Sequence, residues 1–167
     1  VEKGAGKGVY FTDNDYELSG AIVEEKEKVI ESVDLLVKIN PPGDEEKKLM
    51  KKGQVLVSVL SPLSNKFLIK ELNKASLTTF SLDTIPRISR AQSMDILSYM
   101  ATVAGYKAVL EAANRLPGFF PMFMTAAGTI RPANVLILGA GVAGLQAVAT
   151  SRKLGAQVFV FDVRSAV

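Results

Sequence analysis

No stretch of the chain restricts its fold as tightly as residues 135–162, VLILGAGVAGLQAVATSRKLGAQVFVFD. An apolar run at 135–138 meets Gly139-Ala140-Gly141-Val142-Ala143-Gly144, and an alanine-rich segment of helical character follows. A second run, β-branched and aromatic, occupies 158–161 and ends on Asp162. The order is strand, glycine turn, helix, strand, acid. A lone GxGxxG carries little weight, but this context makes it a dinucleotide-binding fingerprint. Gly139 permits the tight turn, Gly141 lets a pyrophosphate lie on the backbone, and Gly144 lets the helix pack closely on the strand. The amino terminus of the helix then faces the anion. Asp162 stands where a carboxylate can accept both ribose hydroxyls of an adenosine, and its charge repels a 2′-phosphate. NAD is therefore expected over NADP.

Composition narrows the classes that remain. Hydrophobic residues make up 48% of the 167, enough for a packed core. The net charge is only +3, and lysines and acids alternate from 24 to 52 as on solvated helices, so no nucleic-acid surface is expected. With neither cysteine nor histidine, disulfides and thiolate chemistry are excluded, and the commonest base and metal ligand is missing; no metal site is expected. The longest apolar stretch, 94–116, is interrupted by Lys107 and Glu111, so no membrane span is expected, and no signal peptide is recognisable.

Along the chain, short helices are predicted at 13–18, 24–31, 44–52 and 65–73. Strands are predicted at 33–39, 55–60 and 76–80, with a short extended piece at 20–23. Alternation of this kind argues for a parallel α/β layer. A loop at 81–89 leads to a long helix at 90–115 that carries many small residues. Leu116-Pro117-Gly118 stops it, and 119–130, broken by Pro121 and Gly128, reads as a packed crossing segment able to act as a hinge. The expected organisation is an incomplete N-terminal α/β domain (1–89), a connecting helix and hinge (90–131), and the opening half of a Rossmann-like dinucleotide-binding domain (132–167). The abrupt beginning, without a leading strand, and the two-strand end, which leaves a sheet edge open, give the chain the look of a fragment.

The segment PRISRAQSMD, residues 86–95, is rich in directed polar groups. Ser89-x-x-Gln92 reads as a capping box, with Asp95 in the first helical turn, where a carboxylate suits the dipole. Gln92, Asp95 and Ser98 are near neighbours on a helix surface, and Arg87 can reach back toward Asp95. Such a cluster can orient an amide-bearing ring such as nicotinamide.

PRISRAQSMD, followed in order by AGYKAVL, MTAAGTI, VLILGAGVAGLQA and DVR, resembles the NAD(H)-binding component, the alpha subunit, of proton-translocating NAD(P)+ transhydrogenases. The resemblance runs from VEKGAG onward over essentially the whole chain. It implies that Arg87, Gln92 and Asp95 correspond to the family's Arg-Gln-Asp loop, that Ser98 is its nearby serine, and that Ser93 and Met94 line the nicotinamide end. It also implies nucleotide contacts at Val142 and at Asp162-Val163-Arg164. The expected activity is hydride transfer from NADH to NADP+ held by a partner domain. That step needs positioning and exclusion of water rather than a general acid, so a chain without His or Cys suits it. The expected partners are the NADP(H)-binding domain and the membrane proton-channel domain of the same enzyme, together with a second copy of this component. The expected location is the soluble face of a membrane enzyme, on the side of a mitochondrial matrix or a bacterial cytoplasm.

Two other readings compete. Alanine dehydrogenases share the fold, and VKINPP with Lys38 resembles their pyruvate-binding strand, but Ser61 stands where that family has its catalytic histidine. Reductive amination must deliver a proton to a carbonyl oxygen, so loss of that acid is costly. Lys38 is then expected to be a surface or structural lysine. A non-catalytic NAD-sensing module is the third reading. It has no need of an Arg-Gln-Asp cluster at the nicotinamide end.

Overall fold

The computed structural model describes residues 1–164, so the last three residues of the expected dinucleotide segment lie outside the described residues. The chain divides into two compact units, Val1–Met94 and Asp95–Val167.

The first unit alternates helices and parallel strands: α1 (Asp13–Leu18), α2 (Lys26–Ser32), β1 (Leu35–Val37), α3 (Asp44–Leu49), β2 (Val55–Ser58), α4 (Lys66–Lys74) and β3 (Thr78–Ser81). The strands form one parallel sheet in the order β1-β2-β3, with Leu36 opposite Leu56 and Leu56 opposite Thr79. Its core is Ile30, Leu36, Leu56, Leu60, Leu68 and Leu72. Leu68 and Leu72 lie one turn apart on α4 and form its buried stripe, as amphipathic spacing requires. Two buried polar side chains tie the layers. The Gln54 amide donates to the carbonyls of Ile30 and Val33, both at 2.7 Å, and the Ser58 hydroxyl donates to the Ile39 carbonyl at 3.1 Å.

Glu46 on α3 joins three elements. Its carboxylate takes Lys26 at 2.9 Å, Lys38 at 2.5 Å and the Gly43 N–H at 2.8 Å. Burial alone would raise its pKa, but the two lysines and the Gly43 N–H outweigh it and hold the carboxyl at about 2. Lys38 is thus held in an ion pair within the first unit. Helix α3 is shorter than predicted: its N-cap is Gly43 rather than Asp44, and it ends at Leu49 because Met50 turns to extended backbone.

In the second unit α5 (Ile96–Arg115) leads through an antiparallel hairpin, β4 (Phe123–Thr125) and β5 (Gly128–Ile130), to β6 (Asn134–Leu138), α6 (Val142–Lys153) and β7 (Gln157–Phe161). The expected crossing segment is therefore a hairpin. Ala126 and Ala127 make the turn, the Thr125 hydroxyl accepts the Ala127 N–H, and Phe119 packs on Phe123 with ring centroids 4.7 Å apart. Strands β6 and β7 pair in parallel, from Asn134 opposite Gln157 to Leu138 opposite Phe161. Ile137 is buried, whereas Leu136, Leu138, Phe159 and Phe161 are exposed. On α6 the Ser151 hydroxyl is fully buried and has no hydrogen-bond partner among the described residues.

Two stability experiments follow. Folding lowers the Glu46 pKa from its ordinary 4.5, so its contribution is complete above that pH and is lost as the pH falls toward about 2. Glu46→Gln should destabilise the first unit by about 2 kcal/mol at pH 7, the variant and the parent converging in that acid window in denaturant titrations. Ser151→Ala removes an unsatisfied buried hydroxyl and should raise the melting temperature, with a gain of roughly 1 kcal/mol; a lower melting temperature would show that the hydroxyl has a partner.

Candidate functional site

The glycine turn is built by contacts that only glycine allows. Gly139 leaves β6 at φ 98°, in the left-handed region, and its N–H donates to the Phe161 carbonyl at 2.7 Å. A Cβ on Gly144 would fall 1.8 Å from the Gly139 carbonyl oxygen and 3.6 Å from Ile137 Cγ2, so the first turn of α6 sits directly on the end of β6. Gly141 differs. It is the N-cap of α6 in extended backbone, and a Cβ there would meet nothing within 4 Å. The protein's own packing does not require glycine at 141; the space beside it is what an approaching phosphate needs. Val142 opens α6, where the free N–H groups of the first turn present partial positive charge.

Asp162 follows β7. Its Oδ2 accepts the Ala140 N–H at 2.7 Å and Arg164 Nη2 at 2.9 Å, while its Oδ1 accepts the Arg164 N–H at 2.8 Å and Arg164 Nε at 2.9 Å. The Arg164 guanidinium, then the Ala140 and Arg164 N–H groups, hold the carboxyl well below the usual carboxylate range. Both oxygens are thus committed in a way that spacing alone did not reveal. The carboxylate clamps the glycine turn to the end of β7, and ribose hydroxyls would reach it by displacing the Arg164 fork. Val163 beside it is strongly exposed.

The polar loop differs from the expected helix start. Residues Ser89–Met94 wind as a 3-10 turn, and the long helix begins at Ile96. Its cap is Asp95, whose carboxylate accepts the Ser98 N–H at 3.0 Å and the Ser98 hydroxyl at 2.6 Å. The capping box expected at Ser89 is therefore not formed, and the helix starts six residues later on Asp95, aspartate being as good an N-cap as serine. Of the expected polar cluster, Asp95 and Ser98 are in direct contact. Arg87, Gln92, Ser93 and Met94 belong to the first unit and are exposed, and Ala91 in the same turn is buried. In the same unit Ser61 sits at φ 49° with its N–H on Asp83 at 3.3 Å. An open hollow of about 480 Å³ lined by Leu116, Phe119, Phe120 and Ile130 lies at the opposite end of β6 from the glycine turn and does not belong to this site.

Among the described residues no three His, Cys, Asp or Glu side chains are grouped to hold a metal, and no helix is long and apolar enough to cross a membrane.

Known proteins agree with this architecture. Residues 1–104 match the family described as Alanine dehydrogenase/PNT, N-terminal domain, and residues 108–167 match Alanine dehydrogenase/PNT, C-terminal domain. The chain is 45% identical to an NAD(P) transhydrogenase subunit alpha chain of Rhodospirillum rubrum, over 99% of this chain and 45% of that protein. A transhydrogenase structure from Sinorhizobium meliloti superposes with a TM-score of 0.95 at 44% identity, covering 99% of this chain and 48% of that one. An L-alanine dehydrogenase structure is more distant, with a TM-score of 0.82 at 31% identity over 99% of this chain and 46% of that one. The chain therefore spans just under half the length of these relatives. With both of its halves matched, the chain belongs to the alanine dehydrogenase/PNT family.

Proposed function

We propose that this chain contributes to the NAD(H) site of a transhydrogenase, in which hydride passes between NADH and NADP+ held by a partner domain. The observation that carries the dinucleotide half of this reading is the turn after β6. Gly139 and Gly144 are demanded by the fold, while Gly141, the N-cap of α6, has open space beside it that leaves room for a pyrophosphate against the backbone. Bound there, NAD would supply the hydride chemistry. The chain's residues would do the rest: the N–H groups at the start of α6 would meet the pyrophosphate, and Asp162, with Val163 and Arg164, would meet the adenosine ribose. Asp95 and Ser98 would stiffen the start of α5 at the nicotinamide end. Gln92 would hydrogen-bond the carboxamide or its ribose, with Arg87, Ser93 and Met94 shaping the same loop.

The choice of transhydrogenase over alanine dehydrogenase is supported by the higher identity to transhydrogenase chains and by two residues. Ser61 cannot deliver the proton that reductive amination requires. Lys38, the look-alike of a pyruvate-binding lysine, is already paired with Glu46 at 2.5 Å. On this reading the working enzyme also includes an NADP(H)-binding domain, a proton channel in a membrane and a second copy of this component, with the chain on the soluble side.

Positioning at Gln92 is tested by Gln92→Asn in the assembled enzyme. Hydride transfer to NADP+ should slow about 100-fold while the Kd for NADH, read by fluorescence titration, changes less than about threefold. Equal losses in both would sink the positioning role. Asp162→Asn should shrink the preference for NADH over NADPH by about tenfold, since it removes the charge that repels a 2′-phosphate. An unchanged preference would move nucleotide selection to another residue.

A further inference from the structure

Helix α5 carries a second glycine contact that the dinucleotide fingerprint does not include. Gly105, the second residue of AGYKAVL, is buried, and a Cβ on it would fall 2.1 Å from the Ala143 carbonyl oxygen and 3.1 Å from the Ala143 Cα. Ala143 is the second residue of α6, inside the glycine turn itself. The two helices thus meet backbone to backbone, in the manner of a Cα–H to carbonyl contact at a helix crossing. The obstacle is main chain on both sides, so no rotamer change can make room for a methyl group there.

The position of this contact along α5 matters as much as its closeness. Asp95 and Ser98 cap the amino end of α5. Gly105 lies seven residues beyond Ser98, two helical turns or about 10 Å along the axis. One rigid helix therefore carries the polar groups assigned to the nicotinamide end and, two turns on, the point on which the phosphate turn rests. Val109, one turn further, is the other buried residue of α5, so the seam continues away from the site.

We propose that Gly105 is a positioning residue: it seats the first turn of α6 on α5 at one depth and so sets the spacing between the phosphate turn and the Asp95–Ser98 end of the cofactor site. A methyl group at 105 would push the start of α6 off α5, and with it the N–H groups of Val142 to Leu145. This inference rests on the reading of the turn as a dinucleotide site.

Gly105→Ala and Val109→Ala, each in the whole polypeptide, separate positioning from plain packing. Alanine is the better helix former, so any loss at 105 is due to the contact and not to propensity. NADH fluorescence titrations, run well below each variant's melting temperature, should show the Kd raised about tenfold by Gly105→Ala. Val109→Ala should lower the melting temperature and leave the Kd within about twofold, because its cavity lies away from the turn. A Kd for Gly105→Ala equal to the parent's, or a rise in Val109→Ala as large as that in Gly105→Ala, overturns the proposal. If the parent itself does not bind NADH, the cofactor reading fails and this inference fails with it. Should Gly105→Ala not fold, hydrogen exchange on the parent decides: NADH should slow exchange of the α5 amides flanking Gly105 together with those of Val142 to Leu145, and slowing confined to the turn overturns it.

Discussion

The second unit depends on one carbonyl group. The Gly139 oxygen lies so close to Gly144 that no side chain fits between them, and this seats α6 over the end of β6. From that contact the rest follows in order. The turn must be tight, so Gly139 takes a left-handed conformation and its N–H is free to meet the Phe161 carbonyl at the end of β7. Ala140, carried by the same turn, presents its N–H to Asp162. A fold feature and the proposed binding feature thus come from the same few atoms, and the first turn of α6 can neither tilt nor slide without breaking a strand-end hydrogen bond.

What could be read directly in the amino acids was what local periodicity and backbone freedom dictate. The βαβ unit from Asn134 to Phe161 falls within a residue of its expected limits, and the three parallel strands of the first unit pair as their alternation with helices implied. Less legible were features decided by competition or by distance in the chain. Ser89 was expected to cap the long helix, with Asp95 inside its first turn, but it is Asp95, with two oxygens for Ser98, that holds the cap. The hairpin at 123–130 was obscured because its strands are only three residues each, too short for alternation to register. Arg164 is two residues from Asp162, a spacing that names neighbours without stating whether they pair. Gly105 was hidden among the small residues of AGYKAVL, and only the approach of α6, much later in the chain, gives it a reason to be glycine.

Charge serves different ends in the two units. In the first, Glu46 gathers Lys26, Lys38 and the Gly43 N–H, so that a carboxylate with little exposure to water is satisfied by partners from separate elements. Removing one partner from such a group costs more than the pair contributes over an apolar alternative, which makes it a keystone rather than a source of binding. Lys38, whose sequence surroundings resemble those of a substrate lysine, finds its carboxylate partner within the chain. In the second unit the ion pair of Asp162 and Arg164 lies at the carboxyl end of β7, beside the turn, where incoming polar groups can compete for it.

That location has a thermodynamic consequence. Asp162 is held ionised far below neutrality by donors supplied by its own chain. A ribose that takes over those oxygens would find the charge already in place, so no proton would be taken up or released at this carboxylate. Occupation of the site by a nucleotide would then be an exchange of donors around a constant charge: Arg164 leaves, hydroxyls enter, and Ala140 stays. An exchange of that kind would leave a guanidinium free to find a new anionic partner.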